Sequence, residues 1–312
     1  MTNQSPTLVL IGGSGLIGRH LAAAFRQDSW RVLIVSRDPN RARQDLGGRY
    51  EYVASLNHLY ADMPIDLVVN LAGASIGEGK WTPQRKQALL NSRLQATRVL
   101  GEWLQQRTAG NRPKLVVQAS AVGYYGNGRA DGWPHCTESA PPQAVFASQL
   151  CQQWEAAAQT AAQAGGVPLV ICRFGVVLAR DGGILPRLLK PVAWCVGKIG
   201  GGEQPLPWIH IDDVAHGIRF LYRLPPARRR AVYNFTAPQI TTQADFVRTA
   251  ARALHRPLLF GVPAAVMRGL MGEQADLVLE GQFAVPQALL ADGYRFRFPE
   301  LPQALADLLN VQ

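Results

Sequence analysis

Three hydroxyl groups near the middle of the chain have the spacing of a proton-transfer site. Ser120 follows an apolar run, residues 114–119, and Tyr124 and Tyr125 come within five residues of it. Hydroxyl and phenol groups donate and accept protons, and open α/β sheets hold such groups in a crevice at the carboxyl ends of their strands. We therefore predict Ser120, Tyr124 and Tyr125 as catalytic residues. The alternative for the two tyrosines is structural, with one ring in the core and the other lining a loop.

A glycine-rich turn near the N-terminus predicts a dinucleotide-binding site. Gly12, Gly15 and Gly18 follow a β-branched and aliphatic run, residues 7–11, and lead into an apolar-periodic helix, residues 16–27. Such glycines allow a tight turn, a close approach to a pyrophosphate and close packing of helix on strand, and the helix N-terminus offers free N–H groups to phosphates. The alternative is a glycine turn in an ordinary α/β protein. A second strand that ends about 20 residues later favours the dinucleotide site.

The end of that second predicted strand, residues 31–35, indicates which dinucleotide binds. Ser36 and Arg37 stand where an NAD-binding protein usually carries an acidic residue for the ribose 2′-hydroxyl. A guanidinium group is permanently charged and holds a phosphate by two parallel hydrogen bonds, so we predict NADP(H) as the cofactor. Asp38 follows at once and weakens this prediction, and a solvated loop position is the alternative for Arg37.

Four further polar residues are candidates for ligand contacts. Arg93 projects from a predicted helix, residues 83–106, and either reaches the cofactor or is an exposed helix charge. Arg173 ends another predicted strand and could meet a phosphate or carboxylate of the substrate or form a structural salt bridge. Glu138 and His210 could serve the substrate as acid or base. Their alternatives are a loop carboxylate and a hydrogen-bonded structural histidine.

Apolar runs that alternate with helical patterns predict the elements that position these groups. Strands are predicted at residues 7–11, 31–35, 50–54, 66–71, 114–119, 169–174 and 231–235, and long helices at 16–27, 83–106, 146–164, 214–223 and 242–254. This alternation is typical of an α/β protein with a doubly wound parallel Rossmann sheet. We further predict Asp212 or Asp213, and Thr241 or Thr242, as helix caps, and a strand-like segment at residues 294–298.

Beyond Gly175 the alternation loosens, which predicts two regions. Residues 1–175 form an NADP-binding Rossmann domain that recovers a helix and a strand from about residues 212–236. Residues 176–312 form mainly a smaller, substrate-binding subdomain.

The composition describes a globular enzyme and excludes other classes. The chain has 312 residues, of which 47% are hydrophobic and 17% charged, so it is neither disordered nor fibrous. Its net charge of +10 comes from scattered lysines and arginines, which predicts a small-molecule substrate and no nucleic-acid partner. Without a signal peptide or a long apolar run we expect a cytoplasmic protein with no membrane partner. The four cysteines lack metal-ligand spacing, so we predict no metal site and burial of all four.

Nine short segments, in order, resemble one known family. GGSGLIG, VSR, NLAG, SAVGYYG, WEAAA, RFGVVL, WIHIDD, YNFTAP and EGQFAVPQ are similar to the extended or atypical short-chain dehydrogenase/reductases, and within them to the YfcH-like NAD-dependent epimerase/dehydratase family. The resemblance runs from residue 8 to about residue 309. It implies a homodimer through two long helices, residues 83–106 and 146–164. It also implies these cofactor contacts: Gly12, Ser14, Gly15, Leu16, Ile17, Ser36, Arg37, Leu71, Ala72, Gly73, Arg93 and Val177.

The chain departs from the family's usual catalytic pair. Typical members carry Tyr and Lys, spaced YxxxK, on the helix after the fifth strand; the Tyr moves a proton, and the Lys lowers the pKa of the Tyr and holds the nicotinamide ribose. Phe146 and Leu150 occupy those positions here, and neither side chain can transfer a proton. The YfcH-like branch shares this departure.

Two functions therefore stay open. The first is an NADP(H)-dependent oxidoreductase or epimerase that acts on a small, anionic or sugar-nucleotide-like substrate through groups other than the usual pair. The second is a catalytically silent NADP sensor or scaffold, in which the bound cofactor orders the loop at residues 120–145. A sensor would bind NADPH tightly and oxidise none of it with any carbonyl compound.

Overall fold

A seven-stranded parallel β-sheet is the centre of the computed structural model, which describes residues 5–128 and 135–310. The strands are β1 (Thr7–Ile11), β2 (Arg31–Val35), β3 (Glu51–Val53), β4 (Leu67–Asn70), β5 (Leu115–Ala121), β6 (His135–Cys136), β7 (Leu169–Phe174), β8 (Val176–Ala179), β9 (Gly182–Gly183), β10 (Val196–Ile199), β11 (Trp208–His210), β12 (Val232–Phe235), β13 (Phe260–Val262) and β14 (Phe283–Ala284). The α-helices are α1 (Leu16–Gln27), α2 (Pro39–Leu46), α3 (Pro83–Gln105), α4 (Phe146–Gly165), α5 (Leu185–Ala193), α6 (Ile211–Arg223), α7 (Gln243–Ala253), α8 (Ala264–Met271), α9 (Asp276–Leu279), α10 (Gln287–Ala291) and α11 (Leu301–Leu309).

The large sheet has the strand order β3-β2-β1-β4-β5-β7-β12, and each neighbouring pair is parallel. The chain first builds outward from β1 to β3 and then continues on the other side of β1 with β4. Doubly wound sheets bind ligands in the crevice that opens at such a switch point. The predicted Rossmann fold is confirmed, and its seven strands lie within two residues of their predicted bounds.

Helices cover both faces of this sheet because its strands are apolar on both sides. On one face, α1 and α6 pack through side chains such as Phe25 and Ile218. On the other face, α3 and α4 pack through side chains such as Trp103 and Ala162. The homodimer through α3 and α4 stays a prediction. Among the described residues, none of the helices has the length and apolar character that a membrane span needs.

The C-terminal part of the chain builds a second, smaller core. Helices α5, α7 and α11 pack around Trp208, Phe246 and Leu305. The strands β11, β8 and β9 form a small sheet beside this core, and β10 pairs with β13. Between these elements the chain returns to the large sheet, where α6 packs against α1 and β12 pairs with β7.

The predicted strand at residues 294–298 is wrong. The side chain of Asp213 holds this segment instead: its Oδ1 accepts hydrogen bonds from Tyr294 Oη and from the backbone N–H of Arg297, both at 2.8 Å, and its Oδ2 accepts one from the N–H of Phe298 at 2.9 Å. The aromatic alternation resembles a strand in the sequence, but a buried carboxylate, and not a neighbouring strand, satisfies this backbone.

The cap of α6 also differs from the prediction. His210, and neither Asp212 nor Asp213, caps this helix, since its Nδ1 accepts from the N–H of Asp212 at 3.1 Å. Thr242 caps α7 as predicted and forms a capping box with Asp245. Three of the four cysteines are buried, whereas Cys195 is half-buried.

Replacing Gly18 with alanine is expected to lower the free energy of unfolding by about 1–3 kcal/mol. The added Cβ would lie 2.5 Å from the Cα of Gly13, a backbone atom that cannot move without displacing the glycine turn. Urea denaturation followed by circular dichroism measures the loss. The matched control is Gly269→Ala on α8, where a Cβ meets no atom within 4 Å and stability should be unchanged or slightly higher. Equal losses in the two variants would contradict this explanation.

Candidate functional site

The glycine turn between β1 and α1 brings the backbone close to the end of β4. Gly12 has φ +75°, a conformation that favours glycine, and a Cβ there would lie 3.1 Å from the backbone of Ala72. Gly15 precedes α1 without a side-chain cap, so the first N–H groups of the helix are left for a ligand. Most of the residues predicted to contact the cofactor lie around this turn. They are Gly12, Ser14, Gly15, Leu16, Ile17, Leu71, Ala72 and Gly73.

Ser36, Arg37 and Asp38 follow β2, at the same edge of the sheet. The hydroxyl of Ser36 donates to the carbonyl oxygen of Asp38 at 3.2 Å. The carboxylate of Asp38 accepts from the N–H of Arg41 at 2.9 Å and so caps α2. The side chain of Arg37 is exposed and forms neither a hydrogen bond nor an ion pair with any described residue. The acidic side chain is therefore engaged, and the basic one is available.

Arg93 on α3 is a buried cation beside the end of β4. Its Nη1 donates to the carbonyl oxygens of Ala74 at 3.1 Å and Leu89 at 2.9 Å, and its guanidinium lies 5.0 Å from the ring centre of Trp154. Its Nε is buried without a hydrogen-bond partner, and no described carboxylate forms an ion pair with it. Gly73 leaves room for it, because a Cβ there would lie 3.1 Å from Arg93 Cγ. Burial lowers the pKa of Arg93, because a cation removed from water without an anionic partner is unfavourable.

The hairpin of β8 and β9 lies against the first turns of α1. Asp181 lies between the two strands, and its carbonyl oxygen accepts from Arg19 Nη2 at 2.7 Å. Its carboxylate forms an ion pair with the same Nη2 at 2.9 Å and lies 2.8 Å from His20 Nε2. A Cβ at Gly183 would lie 2.5 Å from the side chain of Leu16. Val177, predicted to contact the cofactor, is half-buried on β8 of this hairpin. The hairpin therefore closes one side of the glycine turn.

Ser120 lies at one end of a buried polar network. Its Oγ donates to Glu155 Oε1 at 2.6 Å, and Glu155 forms a two-point ion pair with Arg173, with both N–O distances at 2.8 Å. Glu155 and Arg173 are 5% and 3% exposed. Burial alone would lower the pKa of Arg173, but the carboxylate of Glu155 raises it. The structure therefore places a charged, desolvated pair beneath Ser120.

Tyr125 belongs to this network, and Tyr124 borders it. The hydroxyl of Tyr125 donates to Asn234 Oδ1 at 2.6 Å and accepts from Arg173 Nη1 at 3.0 Å, and burial raises its pKa to about 12. The ring of Tyr124 is half-buried and stacks on Arg173, with 3.3 Å between the ring centre and Cζ. Of the two phenols, Tyr125 is fixed inside the protein and Tyr124 is partly accessible.

Apolar side chains occupy the two positions, Phe146 and Leu150, at which the sequence departs from the YxxxK pair. Phe146 begins α4 and meets Trp81 edge to face, with ring centres 5.1 Å apart. Leu150, one turn later, is buried against Leu89 and Cys151. Burial raises the pKa of the Cys151 thiol to about 11, so this thiol is neutral at physiological pH. These two positions of α4 therefore offer no group that could transfer a proton.

Two of the three residues predicted to contact a substrate are engaged at the edge of this network. Glu138 Oε1 accepts from the backbone N–H of Asn234 at 3.0 Å and of Ala288 at 3.1 Å, which fixes β12 and α10. Arg173 forms the salt bridge with Glu155 and also donates to the carbonyl oxygen of Glu138 at 3.2 Å. Their direct contact with a substrate stays a prediction.

His210, the third of these residues, contacts the smaller core. Its ring lies 3.9 Å from that of Phe298, centre to centre, and its Nε2 is 3.3 Å from Asp307 Oδ2 without hydrogen-bond geometry. The structure does not bring it into the network of Ser120, and its role toward a substrate stays a prediction.

Stability is expected to fall as the pH drops below about 6.5, because His210 titrates. Burial lowers the pKa of His210 from its usual 6.5, although the carboxylates of Asp212, Asp307 and Asp213 act in the opposite direction. The unfolded chain therefore binds this proton at a higher pH than the folded protein, so protonation favours unfolding. A protonated Nδ1 also cannot accept the capping hydrogen bond, which is worth about 1 kcal/mol.

The variant His210→Asn keeps a capping acceptor and removes the titrating group. Its loss of free energy of unfolding between about pH 7.5 and about pH 5.5 should be smaller than that of the parent protein by about 1 kcal/mol. The exposed His58→Asn is the matched control and should follow the parent profile. Identical pH profiles for His210→Asn and the parent protein would show that another group controls the change.

A cavity of about 450 Å³ lies beside Phe146, where α3, α4 and the segment around α9 meet. Its walls include Trp81, Lys86, Asn127, Phe146, Glu273 and Asp276. The volume lies within the range of small-molecule sites, about 300–1,000 Å³. Sequence reasoning missed Lys86, Glu273 and Asp276 because they come from segments nearly two hundred residues apart. It also missed Glu155 of the polar network, although the segment WEAAA places this carboxylate among small, apolar neighbours.

Fold and crevice together define a doubly wound α/β protein of the dinucleotide-binding class. Residues 8–235 match the model of the NAD dependent epimerase/dehydratase family, and residues 262–308 match a domain of unknown function, DUF1731. The chain belongs to the NAD dependent epimerase/dehydratase family, which confirms the family that the nine segments predicted.

Relatives in this family align with nearly the whole chain. An epimerase family protein of Staphylococcus saprophyticus is 35% identical over 308 residues, which are 97% of this chain and 99% of the relative. The epimerase family protein YfhF of Bacillus subtilis is 34% identical over 304 residues, 97% of each chain. The crystal structure of human epimerase family protein SDR39U1 with NADPH has a TM-score of 0.84 and 32% identity, and covers 98% of this chain and 100% of the human chain.

Proposed function

We propose that the protein binds NADP(H) at the switch point of its sheet and uses it as the cofactor of an oxidoreductase or epimerase. The observation that carries the proposal is Arg93, a buried guanidinium without an anionic partner, set against Gly73 beside the glycine turn. An unpaired cation in this position fits a phosphorylated ligand that crosses the end of β4. The NADPH in the structure of human SDR39U1, which aligns with 98% of this chain over its whole length, supports the assignment.

The end of β2 supports NADP(H) over NAD(H). Asp38, the acidic residue that could hold a ribose hydroxyl, accepts the N–H of Arg41 as the cap of α2. Arg37, next to it, is exposed and unpaired among the described residues. A free guanidinium at this position favours the 2′-phosphate of NADP(H).

The residues beside Phe146 support a reaction at a carbonyl or hydroxyl group. Bound NADPH supplies a hydride to a carbonyl carbon, and NADP⁺ accepts one from an alcohol carbon. Tyr124 then donates a proton to the carbonyl oxygen or removes one from the hydroxyl group, since its phenol is the accessible one. Arg173, stacked on its ring and held by Glu155, keeps Tyr124 in place. Ser120 acts through Glu155 as a positioning residue.

A sensor without turnover is the second candidate, and two observations favour it. Phe146 and Leu150 make the start of α4 apolar, and the hydroxyl of Ser120 is already bonded to Glu155. The network would then couple the bound cofactor to the loop that follows β5 and not to a reaction.

The test combines binding of NADPH with its oxidation by a panel of small aldehydes and ketones. The parent protein should bind NADPH and oxidise it with at least one of them. Tyr124→Phe should keep the affinity for NADPH and lose about 100-fold or more in turnover. Arg93→Leu should weaken the binding of both NADPH and NADH, whereas Arg98→Leu, an exposed residue of the same helix, should not.

The outcomes separate the candidates. Binding without oxidation by any carbonyl compound would count against the oxidoreductase and favour the sensor over it. An unchanged turnover of Tyr124→Phe would remove Tyr124 from the reaction. Absence of binding by either nucleotide would overturn both candidates.

A further inference from the structure

The cavity beside Phe146 joins the Rossmann part of the chain to its C-terminal part. Lys86 of α3 and Glu273 form an ion pair across it, with Nζ 2.6 and 2.7 Å from the two carboxylate oxygens. Gln274, the next residue, donates to the carbonyl oxygen of Ile76 at 3.3 Å. Both parts of the chain therefore form its walls, and a ligand there would touch both.

Carboxylates outnumber cations around this cavity. Glu273 is paired with Lys86, and from the described residues the carboxylate of Asp276 receives one hydrogen bond, a long one of 3.4 Å from Asn127. Arg268 lies 4.0 Å from Asp276 but bonds to Glu280 at 3.0 Å. Of the charged side chains that line the cavity in the described part of the chain, two are carboxylates, Glu273 and Asp276, and one is a cation, Lys86, so the cavity carries an excess negative charge.

Two arginines near the cavity, Arg85 and Arg187, do not offset its negative charge. Arg85 donates to the carbonyl oxygens of Glu78 at 3.1 Å and Ser75 at 2.7 Å. Arg187 donates to the carbonyl oxygen of Gly77 at 3.2 Å. Both guanidinium groups hold the loop at 75–78, and neither lines the cavity.

The aromatic wall already accommodates an ammonium group. Lys86 Nζ lies 5.0 Å from the centre of the Phe146 ring, a cation–π distance, while it is paired with Glu273. The ring of Trp81 lies at 71° to that of Phe146 and is fixed by a hydrogen bond from its Nε1 to the carbonyl oxygen of Ile76 at 3.2 Å. Ring faces beside carboxylates are the surroundings that recognise a cation.

We propose that this cavity binds a small hydroxylated molecule that carries an amine, and that it rejects nucleoside diphosphates. The inference rests on the proposed function, because it names the substrate class of that same site. The ammonium group of such a ligand pairs with Asp276 and lies against the Phe146 or Trp81 ring, and its hydroxyl groups bond to Asn127 and Gln149. A diphosphate would place its negative charges beside Glu273 and Asp276, where the one lining cation is already paired.

Calorimetric titration of the protein, preloaded with NADP⁺, tests this with probes that share one ring: D-glucosamine, D-glucose, glucose 1-phosphate and UDP-glucose. We expect D-glucosamine to bind about tenfold more tightly than D-glucose, and the two phosphorylated probes not to bind measurably. Asp276→Asn, which keeps the size of the side chain, should remove most of the preference for D-glucosamine over D-glucose. Asp45→Asn, an exposed residue of α2 outside the cavity, should leave it unchanged.

The experiment separates a failure of this inference from a failure of the proposed function. NADP⁺ affinity is measured first in the same samples. If NADP⁺ does not bind, that result counts against the proposed function alone, and the preference for D-glucosamine over D-glucose is measured on the protein without cofactor. Binding of UDP-glucose or glucose 1-phosphate as tight as that of D-glucosamine overturns the inference. The inference is also overturned if the preference for D-glucosamine survives in Asp276→Asn, or if none of the probes binds.

Discussion

Replacing Glu155 with alanine is expected to lower the free energy of unfolding by about 3–5 kcal/mol. Glu155 is the only carboxylate that pairs with Arg173 among the described residues, and both side chains are buried. Without it, Arg173 is an uncompensated charge in a dry interior, and the hydroxyl of Ser120 loses its acceptor. Few substitutions outside the hydrophobic core combine these two losses.

Urea denaturation of Glu155→Ala measures this loss, and two further variants show where it comes from. Glu51→Ala removes the carboxylate of an exposed pair with Arg31, whose geometry is equally good at 2.6 and 2.7 Å, and should cost about 1 kcal/mol or less. The double variant Glu155→Met/Arg173→Met removes both charges and should be more stable than Glu155→Ala alone. If Glu155→Ala loses no more than Glu51→Ala, the network does not hold a desolvated ion pair.

Arg37→Ala is expected to weaken the binding of NADPH about ten- to a hundredfold and to leave the binding of NADH unchanged. A hydrogen bond to a charged group is worth about 1.5–3 kcal/mol, and each 1.4 kcal/mol is about a factor of ten in affinity. Only NADPH carries the 2′-phosphate, so only NADPH loses this interaction. Fluorescence titrations of both nucleotides, side by side on both proteins, measure the change.

Arg26→Ala is the matched control for Arg37→Ala. Arg26 is an exposed arginine in the last turn of α1, at the opposite end of that helix from the glycine turn. Arg26→Ala changes the net charge by the same amount as Arg37→Ala and should leave the affinities for NADPH and NADH unchanged. A parallel loss of NADPH and NADH affinity in Arg37→Ala would indicate a contact with the shared part of the cofactor. No loss would place the 2′-phosphate elsewhere and remove the argument for NADP(H).

The large sheet could be predicted from the sequence because its signals are local. Each strand is a short apolar run, and β7 lies at the predicted residues 169–174 because a strand buried on both faces needs no partner to be recognised. The glycine turn is equally local, since Gly12, Gly15 and Gly18 act within one strand–helix unit. The side of the crevice formed by the glycine turn could therefore be predicted from the sequence.

The side of the crevice around Ser120 could not be predicted from the sequence, because its contacts join distant residues. Glu155 meets Ser120 and Arg173, 35 and 18 residues away, only when α4 packs on the sheet. Asp213 looks like a helix cap in the sequence, yet it bonds to residues 81 to 85 positions later. None of these pairs lies within a single helix or strand, so patterns of residue type do not reveal them.

The chain must travel from residue 174 to residue 232 before β12 can pair with β7. During synthesis, β7 is therefore an open edge strand, and the face that α6 later covers with Val214, Ile218 and Leu221 is exposed. Open edges and uncovered apolar faces make a nascent chain prone to aggregate. A chain that ends near residue 175 keeps this liability permanently, so a shortened version of the nucleotide-binding part needs α6 and β12 grafted back to behave as an independent unit.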